Sequence, residues 1–342
     1  MLSSFNVKSK LFNYQVNFTH DYLKIIKRYN NNNNIFIIDK NIYKKFLEKK
    51  IIIKNFKTIT TSEKTKEYGY AKNILNFFKK KNINKKNKII LIGGGSLQDL
   101  ISFSCSIYHR GIDWIFLPTT LLSQGDSCIG GKNSINFNNY KNILGNFYPP
   151  KKIYISKNFV EKLPKKNLYD GLGEIFHILA VYSKKKIFLI EKFLNKKLSI
   201  DYLIQESLMC KKYYIEKDEF DQKLRKLLNF GHTFGHAIEG YTEFKVSHGQ
   251  AVAMGCMHAL WMSHKLGYIT NKEFVFYKDI LNKIIIKKII FDMTKLSKYL
   301  LKDKKAEKDF INFILVNKKN KMFIKKFKID RHFINIFDNF SY

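Results

Sequence analysis

Residues 88–100 read KIILIGGGSLQDL, an apolar run that passes through three glycines into a segment suited to open a helix. The unbroken apolar run predicts a buried strand, and the glycines predict a tight turn. Glycine lets backbone N–H groups approach a phosphate, and a helix N-terminus adds partial positive charge. The spacing is not Gly-x-Gly-x-x-Gly, so the ordinary dinucleotide-binding fingerprint is absent. Since any tight strand-to-helix turn needs glycine, the stretch alone does not separate a structural role from a binding role.

Residues 35–39 and 114–118 form two further apolar runs, separated from the first by polar helical stretches. This alternation predicts a Rossmann-like parallel sheet covered on both faces, in an α/β domain over residues 1–165. Beyond Pro164 the chain has no proline and its apolar residues repeat with a period near 3.6. We therefore expect an all-α domain over residues 166–342, with a β-ribbon near residues 312–327 that rejoins the sheet.

The bulk composition excludes several classes of protein. With 342 residues and 45% apolar residues, the chain can bury an ordinary core. Its apolar runs are too short to predict a membrane span, and its first residues do not resemble a secretory signal. Four cysteines without Cys-x-x-Cys spacing indicate buried thiols in a reducing compartment, so we expect a cytoplasmic protein.

A net charge of +34 is the strongest compositional signal. Such a charge is typical of nucleic-acid-binding proteins. Here, however, lysine is spread over the whole chain together with asparagine, isoleucine, phenylalanine and tyrosine, whose codons are rich in A and T. Mutational bias explains that combination, and we expect no specific nucleic-acid partner. A basic nucleic-acid-binding protein that has lost catalysis stays open as an alternative.

A metal site is indicated in the helical half. His232 and His236 are four residues apart and share one helix face, and His248 opens a further apolar helix. Upstream, two glycines precede Glu174, which we expect at the start of a helix. Catalytic zinc takes three nitrogen or oxygen ligands and leaves one position open. Glu174, His232 and His248 would supply them, leaving His236 for proton transfer.

Together these segments resemble the 3-dehydroquinate synthase family over most of the chain. The strings TTLLSQ at residues 119–124 and GHTFGH at residues 231–236 carry the resemblance most specifically. The resemblance implies NAD contacts from Asp39, Asn41, Glu63, Lys66, Gly93, Gly94, Gly95, Asp99, Thr119, Thr120 and Lys141. It implies a Zn²⁺ (or Co²⁺) site formed by Glu174, His232 and His248.

The resemblance also implies residues that bind or transform the substrate. The substrate-binding set is Arg110, Asp126, Lys132, Asn142, His177, Lys211, Arg225, Asn229, His236 and Lys319. The catalytic set is His236, Asp221, Lys132 and Arg225. Arg110 would reach into the site of a partner subunit, so the family implies a homodimer.

The chain departs from the family pattern at several positions. His177 stands where the family has a substrate-binding lysine, and we expect it to replace that lysine only when protonated, so that KM rises above neutral pH. Asp221 and Gln250 each replace a glutamate. Residues 96–98 replace two apolar residues and a glycine.

The family reaction converts a phosphorylated seven-carbon keto-sugar acid, 3-deoxy-D-arabino-heptulosonate 7-phosphate, to 3-dehydroquinate and phosphate in the shikimate pathway. It proceeds through transient oxidation by NAD, phosphate elimination, reduction and aldol closure. The resemblance thus implies a lyase of aromatic amino acid biosynthesis. A related cyclase acting on another sugar phosphate is the closest alternative, and a polyol dehydrogenase of the same fold has less need of so many anion-binding side chains.

Overall fold

The computed structural model describes residues 3–138, 140–301 and 309–342, and the chain divides into two units, Met1–Leu163 and Pro164–Tyr342. The strands of the first unit are β1 (Phe5–Val7), β2 (Tyr14–Phe18), β3 (Asn34–Asp39), β4 (Phe56–Ile59), β5 (Lys88–Gly93), β6 (Trp114–Pro118), β7 (Lys132–Phe137), β8 (Tyr140–Phe147) and β9 (Lys152–Ile155). Its helices are α1 (Tyr22–Tyr29), α2 (Lys40–Ile42), α3 (Tyr68–Lys80), α4 (Gly95–Ile107) and α5 (Lys157–Val160). Single 3-10 or π turns occupy Tyr43–Leu47, Glu63–Lys66, Tyr108–Arg110 and Ser123–Ser127.

The first unit is built on a seven-stranded sheet with the order β1-β2-β9-β6-β5-β3-β4. Only the edge pair β1–β2 is antiparallel, and the other neighbours are parallel. Every residue of β3 and β6 is buried, as are the last five of β5. Strands covered on both faces need such continuous apolar sequences, and the three strands predicted from them are confirmed.

The carboxyl ends of the central strands bring predicted site residues to one edge. β3 ends at Asp39 and β5 ends at Gly93, while Thr119 follows the last residue of β6. β5 lies between β3 and β6 in the sheet. Ligands of open parallel sheets bind at this edge, where strands give way to loops. Two more strands, β7 and β8, form a separate antiparallel hairpin.

The second unit contains α6 (Lys165–Tyr182), α7 (Phe188–Leu194), α8 (Ile200–Lys217), α9 (His232–Tyr241), α10 (His248–Lys265), α11 (Asn271–Ile284), α12 (Met293–Leu301), α13 (Arg331–Asn335), β10 (Phe310–Val316) and β11 (Met322–Lys328). Two 3-10 turns lie at Lys184–Ile187 and Leu224–Asn229. α10 is the central helix: it packs against α6, α9, α11 and β10. Nearly all of its residues are buried, which matches its nearly unbroken apolar sequence. The predicted architecture, a Rossmann-like sheet and a helical second half, is confirmed.

The C-terminal ribbon corrects one expectation. β10 and β11 pair only with each other, so the prediction that this segment rejoins the large sheet is wrong. The reason lies in the packing of β10 inside the second unit. Phe313 packs on Phe234 of α9 with ring centroids 4.9 Å apart, and the Val316 amide donates to Ser263 Oγ of α10 at 3.1 Å.

Two further predictions concern the whole chain. All four cysteines are buried free thiols, as their spacing indicated. Over the described residues, no helix combines the length and apolar character that crossing a bilayer requires.

Candidate active site

The glycine turn joins β5 to α4 at the carboxyl edge of the sheet. Gly94 caps α4, and among the described residues no side chain caps the first turn of this helix. The turn is tight, because a Cβ on Gly94 would lie 3.0 Å from Thr120 Cγ2, and the Thr119 amide donates to Gly93 O at 3.0 Å. The first amides of a thirteen-residue helix are thus open to an anion, as a pyrophosphate site requires.

Asp39 is the acid at the end of β3 and is 7% exposed. Its Oδ1 accepts the amides of Asn41 at 2.9 Å and Ile42 at 3.1 Å, and its Oδ2 accepts the Thr61 hydroxyl. Burial raises the pKa of this carboxyl, and the backbone amides offset part of the rise. Asn41 is exposed beside it. The carboxylate is therefore held rigidly beside the turn residues that follow the neighbouring strands.

A polar cluster joins four of the predicted NAD contacts. Lys66 Nζ lies 2.8 Å from Asp99 Oδ2 and 2.7 Å from Asn142 Oδ1. Lys141 Nζ lies 3.7 Å from Glu63 Oε1. Burial raises the pKa of Asp99, although Lys66 opposes the shift. Sequence reasoning placed Asn142 with the substrate, and the structure brings it into contact with the predicted cofactor residue Lys66.

Residues 96–98, where the family resemblance implies other residue types, are held by hydrogen bonds inside the same unit. Gln98 is 3% exposed, and its Nε2 donates to Ser127 O at 2.7 Å while its Oε1 accepts from Ser127 Oγ at 2.8 Å. Both ends of the amide are thereby satisfied. Gln98 fixes α4 to the turn at Ser123–Ser127, which also carries Asp126.

The predicted metal ligands meet in the second unit. Glu174 Oε1 lies 3.2 Å from His248 Nε2, and Glu174 Oε2 lies 3.9 Å from His232 Nε2. One ligand atom from each of the three residues lies within 4.8 Å of the others. His248 opens α10, as predicted, and His232 is the first residue of α9. The structure thus gathers all three side chains around one point.

The position of Glu174 in its helix was predicted wrongly. It is the tenth residue of α6 and lies in the interior of that helix, not at its start. The preceding glycine has a packing role: a Cβ on Gly173 would lie 2.0 Å from Gly249 O on α10. Glycine inside a helix reads as a boundary in sequence, but here it lets α6 and α10 approach closely.

The cluster fits a divalent cation. Glu174 is 1% exposed, and its Oε1 has no hydrogen-bond partner among the described residues. A buried carboxylate oxygen left without a donor is costly, and a cation would satisfy it. His248 Nδ1 lies 3.1 Å from Glu239 Oε2, an arrangement that orients metal-binding histidines. The donor set of two imidazoles and one carboxylate is one that catalytic zinc uses.

The pKa values of the clustered side chains are set by their burial and by their contacts with one another. Burial opposes ionisation of Glu174, but His177, His232 and His248 outweigh it and hold its pKa well below the usual range. Burial lowers the pKa of His232 well below its usual value. Burial also opposes the charged form of His248, but the contacts with Glu174 and Glu239 outweigh burial and raise the pKa of His248 well above its usual value.

His236 lies beside these ligands. Its ring centroid is 5.7 Å from that of His232 and 5.9 Å from that of His248, and the residue is exposed. A second set of possible donor atoms, from His236, Glu239 and His248, also lies within 4.8 Å. Of these two sets we favour the first, because it includes the buried Glu174 oxygen that has no hydrogen-bond partner among the described residues.

The predicted anion-binding residues of the second unit lie on α8 and the turn after it. Lys211 is 8% exposed and Arg225 is 4% exposed, which is uncommon for cations. The Arg225 guanidinium donates to Glu219 O, and Asn229 Nδ2 donates to Lys226 O at 3.0 Å. Asp221 has a φ of 57°, in the left-handed region.

The remaining predicted residues are more exposed. Lys319 lies in the turn between β10 and β11 and is exposed, as is Lys132 at the start of β7. Arg110 is exposed and has a φ of 60°, directly after His109 with a φ of 50°. Consecutive left-handed residues that are not glycine are uncommon and often mark functional turns.

Sequence reasoning did not include Glu239 among the site residues. It lies seven residues after His232 on α9 and therefore on the same helix face. That periodicity was available in the sequence as a signal. The pairing with His248 was not, because it depends on how α9 and α10 pack.

A cleft of about 410 Å³ lies away from these residues. Its lining includes Asn34 and Lys88, the first residues of β3 and β5. It therefore lies at the amino edge of the sheet, opposite the glycine turn, and we assign no chemistry to it.

Comparison with known proteins establishes the family. Residues 56–170 match the model of the 3-dehydroquinate synthase N-terminal region, and residues 171–306 match that of the C-terminal region. The chain belongs to the 3-dehydroquinate synthase family. The 3-dehydroquinate synthase of Picrophilus torridus is 38% identical over 302 residues, covering 84% of this chain and 85% of the relative. That of Helicobacter pylori strain G27 is 37% identical over 262 residues, covering 75% of this chain and 76% of the relative.

Solved structures of sugar-phosphate cyclases share the fold. The complex of 2-deoxy-scyllo-inosose synthase with carbaglucose-6-phosphate, NAD⁺ and Co²⁺ has a TM-score of 0.83 at 19% identity, covering 98% of each chain. The 2-epi-5-epi-valiolone synthase of Streptomyces hygroscopicus, with NAD⁺ and Zn²⁺ bound, has a TM-score of 0.82 at 18% identity, covering 99% of each chain. The family predicted from the sequence is confirmed, and the chain is an enzyme of that family.

Proposed function

We propose that the chain is a 3-dehydroquinate synthase that converts 3-deoxy-D-arabino-heptulosonate 7-phosphate to 3-dehydroquinate and phosphate. The observation that carries the proposal is the meeting of Glu174, His232 and His248 around one point in a chain of this family. Bound NAD would accept and later return a hydride, while a bound Zn²⁺ or Co²⁺ would polarise the hydroxyl group that is oxidised.

The first unit is proposed to bind NAD. The open first turn of α4, after Gly93, Gly94 and Gly95, suits the pyrophosphate, with Thr119 and Thr120 beside it. Asp39, with Asn41 next to it, suits a ribose hydroxyl, because a buried carboxylate accepts hydrogen bonds from hydroxyl groups. Glu63, Lys66, Asp99 and Lys141 form the polar cluster proposed to contact the nucleotide.

The substrate carries a phosphate and a carboxylate, so its site needs cations. Lys211 and Arg225 are buried cations on adjacent elements, and each charge-assisted hydrogen bond contributes about 1.5–3 kcal/mol. We assign Asp126, Lys132, Asn142, Asn229 and Lys319 as further substrate contacts. His236, exposed beside the metal ligands, is proposed to move a proton during elimination, and Asp221 to support Arg225 in catalysis.

The proposal includes a homodimer in the cytoplasm. The exposed Arg110, in a turn with two left-handed residues, is suited to contact the substrate bound to a partner subunit. The exposure of Arg110 supports such a role, because a guanidinium binds phosphate in a fixed geometry.

The test is phosphate release from 3-deoxy-D-arabino-heptulosonate 7-phosphate with NAD and zinc, followed by identification of the product by NMR. We expect stoichiometric phosphate and 3-dehydroquinate, and loss of at least about 100-fold in kcat for Glu174→Gln and His232→Asn. His20→Asn, an exposed histidine in the other unit, is the control and should keep the wild-type rate. Turnover of sedoheptulose 7-phosphate or glucose 6-phosphate in place of this substrate would contradict the proposal.

A further inference from the structure

His177 lies one helical turn after Glu174 on α6 and faces the proposed metal site. The residue is 2% exposed, and its Nδ1 lies 3.0 Å from Glu174 Oε2. Its ring packs edge-on against that of His232, with centroids 4.9 Å apart. Two α-helical residues three positions apart lie on the same face, so α6 itself sets this contact.

Two atoms in this group lack hydrogen-bond partners among the described residues. They are Glu174 Oε1 and His177 Nδ1, and both are fully buried. Leaving a buried polar atom without a partner costs about 1–3 kcal/mol. The two atoms need different partners, because a carboxylate oxygen needs a donor or a cation and an Nδ1–H needs an acceptor.

A bound cation would resolve both needs. The cation would satisfy Glu174 Oε1, which already lies 3.2 Å from His248 Nε2. Glu174 Oε2 then remains as an acceptor for His177 Nδ1, within hydrogen-bonding distance at 3.0 Å. A carboxylate held by one oxygen presents the other in a fixed direction, which is how supporting residues tune metal ligands.

The side chain at this position has limited reach. The lysine that the family resemblance implies here is long and would carry its charge away from α6. The imidazole of His177 ends against Glu174 and His232 and is almost completely covered. Its surroundings therefore suit support of the carboxylate better than direct contact with a substrate anion.

We propose that His177 is a positioning residue of the metal site, donating its Nδ1–H to Glu174 Oε2 so that Oε1 faces the cation. The proposal rests on the metal site of the proposed function. It gives a role to the histidine that stands where the family resemblance implies a lysine: this side chain orders the metal ligand on its own helix. It also predicts that metal affinity depends on the donor at Nδ1.

The test is the dissociation constant of Zn²⁺ and Co²⁺, measured by competition with a chromophoric chelator on the purified full chain. His177→Leu removes the donor and should weaken binding about 10–100-fold. His177→Asn places an amide N–H near the position of Nδ1 and should restore affinity to within about 3-fold of wild type, whereas His177→Gln places it further along the side chain and should not. Thermal unfolding in EDTA shows that each variant is folded, and the comparison of Asn with Gln decides the matter even if Leu unfolds.

Two competing roles give different results. If His177 were a ligand, the visible spectrum of the Co²⁺ form would lose intensity in every variant as a solvent molecule replaced the imidazole, and the positioning role would be overturned. If His177 bound substrate, its variants at saturating zinc would raise KM and leave metal affinity unchanged, which would also overturn it. The positioning role predicts an unchanged spectrum for Asn and an unchanged KM at saturating zinc.

A separate measurement shows whether the proposed metal site, rather than the role of His177, is wrong. Glu174→Gln and His232→Asn should weaken Zn²⁺ binding far more than any change at His177. If those two variants bind zinc as tightly as wild type, the proposed metal site is wrong. If they lose zinc and His177→Leu and His177→Gln do not weaken binding, only the positioning role is wrong.

Discussion

Single residues show how this chain accommodates its departures from the family pattern. Gln250, where the family resemblance implies a glutamate, is 5% exposed. Its Nε2 donates to Tyr169 O at 2.9 Å and to Ile284 O at 3.0 Å, and its Oε1 accepts the Ile286 amide at 2.8 Å. One amide thus joins α6, α10 and the end of α11. Glutamine suits this place because it both donates and accepts.

We expect Gln250→Glu to lower the free energy of unfolding by about 2–4 kcal/mol at pH 8, because a carboxylate cannot donate to the two carbonyl oxygens that it would face. Urea denaturation followed by circular dichroism measures the change. Gln222→Glu, on the surface of the same unit, is the control and should stay within about 0.5 kcal/mol of wild type. Equal stability of Gln250→Glu and wild type would show that these hydrogen bonds are dispensable.

The metal-ligand residues could be predicted from the sequence, but the residues that orient them could not. The spacing of His232 and His236 places both on one helix face whatever the tertiary structure. The three nitrogen or oxygen ligands that catalytic zinc takes then pointed to Glu174 and His248. The contacts of Glu239 with His248 and of His177 with Glu174 involve atoms whose positions depend on packing and rotamers. The periodicity of a sequence predicts which residues share a helix face, but not which side chains of other elements pack against that face.

Close contacts between helices explain why a glycine precedes Glu174 in the interior of α6, where the sequence pattern indicated a helix start. α10 meets α9 as closely as it meets α6: a Cβ on Gly255 would lie 2.0 Å from Gly231 O. Single-sequence patterns treat helical glycine as a boundary, because glycine lowers helix propensity. The structure shows that these glycines set the distances between the helices that carry the metal ligands.

Gly255→Ala should therefore destabilise the protein by at least about 1–3 kcal/mol, since the added methyl group meets backbone atoms that cannot rotate away. We also expect weaker zinc binding, because α9 carries His232. Gly69→Ala is the matched control: a Cβ there meets nothing within 4 Å, and the residue lies in α3, so this variant should be unchanged or up to about 1 kcal/mol more stable. Unfolding curves for both variants give the answer, and equal stability of the two would refute the packing argument.

At the scale of the whole molecule, the fold was predictable where a pattern was continuous. The buried runs of β3, β5 and β6 predicted a parallel sheet, and the 3.6-residue period predicted the helices of the second unit. The placement of β10 and β11 was not predictable, because an alternating strand needs an apolar partner surface but does not specify which one. α9 and α10 provide that surface within the second unit.

The net charge of +34 shows that composition alone does not indicate the function of this chain. It points to polyanion binding, yet family membership assigns the chain to a group of metabolic enzymes. Two of the cations singled out by the resemblance, Lys211 and Arg225, are buried, whereas most lysines of the described residues are exposed or half-buried. Burial therefore separates candidate functional cations from the general excess of lysine.

The central claim is that Glu174, His232 and His248 hold one divalent cation. Anomalous scattering at the zinc absorption edge, from crystals of the full chain grown with zinc and NAD, tests it most directly. We predict one full-occupancy peak at about 2.0–2.2 Å from a carboxylate oxygen of Glu174 and from one imidazole nitrogen of each histidine. A peak bound by His236 and Glu239 without Glu174, a peak at a cysteine, or no peak in the second unit would contradict the account.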